Sequence, residues 1–122
     1  MNVSKIIDAP AHEVWDVIAR FDRWPSWGPS VSRVRCDDAL VREGARGAVR
    51  TPLGVWIDFE VTDVVDGVSW SWRVLGREAT GHAVEPLGHS RSRLSFSLPS
   101  WAFPYALVCE LALRRVAALV ES

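Results

Sequence analysis

An α+β fold is predicted, with a curved antiparallel sheet of six to seven strands wrapped on a long C-terminal helix and two short helices after the first strand. Three observations predict it. Residues 30–99 alternate apolar and polar side chains with period two, punctuated at short intervals by Gly and Asp. Ahead of them, Val14, Trp15, Ile18 and Phe21 recur at helical spacing. Behind them, Trp101 to Glu121 reads as one helix whose apolar positions cover more than half its circumference. A sheet with one apolar face and a helix this apolar bury each other by packing together.

The elements follow in order. Met1 to Ile7 alternates weakly and reads as a short strand. Asp8-Ala9-Pro10 is a helix start, with Asp near the cap and Pro in the first turn, and it opens an amphipathic helix over Ala11 to Arg20. Two prolines and a glycine in Phe21 to Pro29 limit the next segment to one short turn or helix and a loop. Six strands then fit: Val31–Cys36, Gly47–Thr51, Val55–Val64, Val68–Leu75, Ala79–Glu85 and Arg91–Leu98. Ile57, Phe59 and Val61 alternate with Asp58, Glu60 and Thr62; Trp70, Trp72 and Val74 alternate with Ser69, Ser71 and Arg73. One wet face and one buried face is the antiparallel pattern, and the short turns between runs predict a meander of hairpins. In the last helix, Trp101, Tyr105, Val108, Ala112, Val116 and Leu119 form a continuous stripe. A helix so apolar is expected to be covered almost all round, or to face a cavity or a partner chain.

Composition narrows the function. Among 122 residues, 48% are hydrophobic and 24% charged, which predicts one domain over residues 1–122 with its own core. A net charge of −1 gives no overall attraction to nucleic acid or to an anionic membrane. Arg33, Arg35, Arg91 and Arg93, spaced by two on strands, read as a solvated sheet face and not as a nucleic-acid interface. The apolar stretch from Trp101 to Val120 is broken by Glu110, Arg114 and Arg115, so membrane insertion is not expected. Cys36 and Cys109 are too few for a disulfide framework, and no signal peptide precedes the first strand; both predict a cytoplasmic protein. His12, His82 and His89 lack metal-site spacing, and no phosphate-cradling loop or nucleophile motif is present, so neither metal nor cofactor is expected.

Several ordered segments carry a resemblance: Asp8-Ala9-Pro10 with Val14-Trp15, Phe21 to Trp27, Gly44-Ala45-Arg46-Gly47, Val61-Thr62, Ser71-Trp72-Arg73, and His82 to Pro86. Together they make the whole chain similar to the START-like, or helix-grip (SRPBCC), superfamily, and within it to the polyketide cyclase/dehydrase-like branch. The resemblance implies the helix-grip fold and a role among cyclases, lipid and quinone carriers, receptors and chaperone activators. In the aromatic cyclases of that superfamily, an arginine, a tyrosine and further polar groups hold and deprotonate a poly-ketone chain; no such set is matched residue by residue here.

Candidate site residues come from the inner sheet face. A bent sheet leaves space beneath a straight helix, and period two points Phe59, Trp70, Trp72, Thr80, His82, Val84 and Phe96 towards it. His82 is the one titratable side chain among them: a ligand-orienting group or general base near neutral pH, or equally a hydrogen-bonded core histidine. Tyr105 offers a phenol from the helix stripe, and Trp27 and Trp101 edge the mouth of the pocket. Trp72 is open to two readings, cavity wall or core. Trp56 falls on the polar face, where it caps an edge or meets another subunit. The expected ligand contacts are thus Trp27, Phe59, Trp70, Trp72, His82, Phe96, Trp101 and Tyr105. Three functions compete: binding of a small hydrophobic ligand (aromatic, polyketide-like or lipid-like); a cofactor-independent polyketide cyclase/dehydratase with His82 as catalytic base; and a protein-interaction module, a homodimer included.

Overall fold

The computed structural model describes residues 1–121 and, within them, every side chain except that of Phe103. Seven strands, β1 (Asn2–Ile7), β2 (Arg33–Cys36), β3 (Arg46–Arg50), β4 (Trp56–Val65), β5 (Ser69–Val74), β6 (Arg77–Pro86) and β7 (Ser92–Ser97), make one sheet. Its order is β1-β7-β6-β5-β4-β3-β2 and every neighbouring pair is antiparallel. β2 to β7 form the expected meander, and β1 joins beyond β7, with Asn2 opposite Ser97 and Ile7 opposite Ser92. The helices α1 (Ala11–Ala19), α2 (Trp24–Trp27) and α3 (Ala106–Val120) lie on the concave face of the curved sheet, in the helix-grip arrangement. No described helix is long and apolar enough to cross a membrane.

Local chemistry explains most of this. α1 starts after Pro10, whose extended backbone (φ −63°, ψ 150°) is set by its ring, and it buries Val14, Val17, Ile18 and Ala19. Trp15 is only half-buried, because the apolar face centres on the 14/17/18 triplet. The last carbonyls of a helix lack internal partners. Here the indole N–H groups of Trp24 and Trp27 donate to Ile18 O (3.1 Å) and Val17 O (3.2 Å), closing the end of α1 from α2. Trp27 therefore sits in a short helix with 6% of its surface exposed, not in a loop at a pocket mouth.

Two irregularities shift the strand alternation. A bulge between Val61 and Asp63 places Val64 opposite Trp70. A second, between Ser71 and Arg73, lets Trp72 face the Ala79–Thr80 stretch of β6.

The C-terminal segment departs most from expectation. Ser100–Tyr105 is a 3₁₀ helix, and α3 begins only at Ala106. Pro104 is the cause: it lacks an N–H and disfavours α-helical geometry in the residue before it. The buried face of α3 is Cys109, Ala112, Leu113, Val116 and Ala117, of which the small Cys109, Ala112 and Ala117 allow close approach to the sheet. Leu107 (75% exposed), Leu111 (41%) and Leu119 (40%) face outward, so the helix is not covered all round and Leu119 leaves the predicted inner stripe.

Candidate functional site

The space beneath the grip is filled largely by aromatic rings. Trp24 stacks on Trp70 with centroids 5.0 Å apart and planes 7° apart, and Trp70 stacks in turn on the His82 imidazole at 3.8 Å and 21°. Phe96 meets the other side of His82 edge-on at 4.9 Å. What remains is a chamber of about 40 Å³, bordered by Trp27, Trp70, Trp72, His82, Phe96 and Tyr105 among others. The roomy central cavity that a bent sheet predicts is thus occupied by the protein's own indoles.

A second space, larger than the chamber, lies at the end of the sheet where the β3–β4 and β5–β6 hairpins and the 3₁₀ helix meet. A groove of about 540 Å³ is lined there by Val49, Ile57, Val74, Ala79, Trp72 and Trp101, with Pro99, Ala102, Pro104 and the hydroxyl-bearing Ser30, Thr51, Thr80 and Tyr105. Among the described residues no charged side chain lines it. Trp101, 55% exposed, stands at its mouth with the Arg77 guanidinium 4.3 Å from its ring centroid.

One hydrogen-bond chain ties groove to core. The Trp72 indole N–H donates to Thr80 Oγ1 at 2.9 Å; the Thr80 hydroxyl donates to His82 Nε2 at 3.1 Å; and His82 Nδ1–H donates to the Trp70 carbonyl at 3.2 Å. A carbonyl only accepts, so Nδ1 carries the proton and Nε2 accepts from Thr80. Desolvation in the aromatic stack pushes the His82 pKa down to about 3, against the opposing pull of the Trp70 carbonyl. At neutral pH the ring is uncharged and both nitrogens are engaged. Ser30 and Tyr105, which also border both spaces, join their hydroxyls in a hydrogen bond. Burial raises the Tyr105 pKa above its ordinary value while the Ser30 hydrogen bond works against the rise, which leaves Tyr105 a neutral phenol.

Of the sequence-derived contacts, Trp27, Trp70, Trp72, His82, Phe96 and Tyr105 meet around the inner chamber, and Trp72, Trp101 and Tyr105 border the groove. Phe59 is set apart: it packs against Trp24 (5.3 Å), Phe21 (5.8 Å) and Trp72 (5.7 Å) and lines neither space. Ser30, Val31, Ile57, Val74 and Ala79 were not singled out from the sequence. The inward parity of Ile57 and Val74 was the available signal for two of them. Outside the grip, Trp56 lies under the Arg35 guanidinium at 4.4 Å. Asp58 is exposed, and Glu60 pairs with Arg46 at 3.5 Å, so both carboxylates belong to the outer face.

Comparison with known proteins agrees with this geometry. Over residues 1–121 the sequence matches the family described as polyketide cyclase / dehydrase and lipid transport. Among curated proteins no sequence match is found. Similar solved structures include protein CV1439 from Chromobacterium violaceum (18% identity, TM-score 0.71, 100% of this chain and 97% of that one). The Zhui aromatase/cyclase from Streptomyces sp. R1128 is similar at 13% identity and TM-score 0.72, over 98% of this chain and 91% of that one. DynU16, from the dynemicin biosynthetic locus, is similar at 20% identity and TM-score 0.69, over 97% of this chain and 45% of that one. At such identities these structures speak for the fold alone.

Proposed function

The chain belongs to the polyketide cyclase/dehydrase and lipid-transport family, and from that premise we propose that it binds a small, uncharged hydrophobic molecule with aromatic character in the groove beside the 3₁₀ helix. One observation carries the reading: about 540 Å³ of space walled by apolar side chains and two indoles, with a few hydroxyls and no charge. Ligand sites are typically built this way, apolar for affinity with sparse polar groups for orientation. Trp72 and Trp101 supply flat contact surfaces; the Ser30–Tyr105 pair has one hydroxyl proton free for a ligand carbonyl, whereas Thr80, whose proton goes to His82, can only accept from a ligand hydroxyl.

The same geometry supports binding over proton transfer by His82. A base with a pKa of about 3, whose lone pair already accepts from Thr80, is poorly matched to chemistry near neutral pH. In this reading His82 positions Thr80. If the protein is instead a cyclase or dehydratase, His82→Ala abolishes turnover of a β-keto substrate and leaves binding within about tenfold.

Native mass spectrometry of freshly purified protein, followed by quenching of Trp fluorescence with 2-acetylnaphthalene, tests the proposal. A non-covalent adduct of mass typical for an apolar metabolite, or saturable quenching lost in Trp101→Ala, is expected. A clean mass with no saturable quenching by any aromatic probe would overturn it.

A further inference from the structure

The inner chamber and the outer groove are separated by very few side chains. Ser30, Val31, Trp72, Thr80 and Tyr105 border both. Four of these form two hydrogen-bonded pairs. Trp72–Thr80 is rooted in strands β5 and β6; Ser30–Tyr105 joins the loop after α2 to the residue preceding α3. The second pair spans segments outside the sheet, so it is the one that can part without disturbing strand pairing.

Behind this wall lies an unmet need. Trp70 is 1% exposed and lines the chamber, and its indole N–H has no hydrogen-bond partner among the described residues. Buried donors without acceptors are rare and costly. Every other indole or imidazole N–H facing this region is engaged: Trp24 with Ile18, Trp27 with Val17, Trp72 with Thr80 and His82 with Trp70. The chamber measures about 40 Å³, well short of the roughly 150 Å³ of a cavity that takes up benzene. A small group fits there and an aromatic ring does not. No cationic side chain among the described residues borders it, so an anion would enter without a counter-charge.

Building on the ligand-binding reading above, we propose that the inner chamber is a carbonyl subsite: the apolar body of the ligand lies in the groove, and its uncharged ketone or quinone oxygen passes between the Ser30–Tyr105 and Trp72–Thr80 pairs to accept a hydrogen bond from Trp70. The wall then sets ligand depth, since rings stop at Trp72 and only the oxygen goes further. Specificity follows from the orphan donor. A ligand of the same shape without the oxygen leaves Trp70 unpaired, and a carboxylate is rejected by desolvation.

Three probes of matched shape test this: 2-acetylnaphthalene, 2-ethylnaphthalene and 2-naphthoate. The ketone is expected to bind the wild-type protein about three- to tenfold more tightly than the ethyl compound, the worth of one net hydrogen bond, and the naphthoate most weakly. Trp70→Phe should erase the ketone's advantage while leaving the ethyl compound's affinity near its wild-type value. Because Trp70 is stacked in the core, that variant can fail to fold. The wild-type Trp70 indole N–H resonance is therefore followed as well, and should move downfield with the ketone but not with the ethyl compound. Equal affinities for ketone and ethyl compound, with a silent Trp70 resonance, would mean that the chamber holds only water and would overturn the subsite. Failure of all three probes to bind would instead remove the ligand-binding reading on which it rests.

Discussion

His82 shows how a titratable side chain can be made inert by its surroundings. Stacked on Trp70 and bonded at both nitrogens, it stays neutral in the folded chain down to about pH 3, whereas in the unfolded chain it charges near 6.5. The unfolded state therefore binds more protons between these values, and stability falls as pH drops through that window. From pH 7 to pH 5 the contribution amounts to about 2 kcal/mol. Urea unfolding of the wild type should reveal this loss, and His82→Gln should abolish its pH-dependent part; an identical pH slope in both proteins would show that His82 is not the group responsible. At the same scale, the inward direction of Trp70, Trp72, Thr80 and His82 was legible from period-two alternation. Their hydrogen-bond order was not, because it depends on the bulge that brings Trp72 opposite Thr80.

Among the elements, the hairpins and the last helix were read with unequal success, for physical reasons. The strands announced themselves because each buries one face. The β5–β6 turn carries a local conflict: Leu75 (φ 53°) and Gly76 (φ 74°) both adopt left-handed geometry, which two-residue hairpin turns fill best with Asn-Gly. Leu75 is 69% exposed and little packing holds it there. Leu75→Asn should raise stability by about 1 kcal/mol, read as a higher midpoint in thermal or urea unfolding. Helix α3 misled through its composition. When most positions are apolar, periodicity cannot say which side faces in. The small residues Cys109, Ala112 and Ala117 mark the contact face instead, and burial that raises the Cys109 thiol pKa to about 11 accords with its place in the core. Pro104 was the readable sign that this helix starts late.

Over the whole molecule, the order of elements and the resemblance carried the fold, while the size of the central space stayed hidden. That size is set by how Trp24, Trp27, Trp70 and Phe96 share the interior, and pattern alone holds no record of rotamers. The sheet also has a long-range closure: β1 has a single strand partner, β7, and their paired residues Asn2 and Ser97 lie far apart along the chain. A sheet that must make this closure is expected to refold in milliseconds to seconds, although its other strand pairs are consecutive hairpins. A fragment of residues 1–90, lacking β7 and α3, should show no cooperative unfolding transition by circular dichroism. There is a consequence for the order of events at the ribosome. Of these seven strands, the earliest to leave the exit tunnel is among the last to find its place. With translation adding about 5–20 residues per second, β1 and the apolar face of α1 wait several seconds for partners not yet made. During that interval the nascent chain depends on whatever shelters an unpaired strand and an uncovered helix.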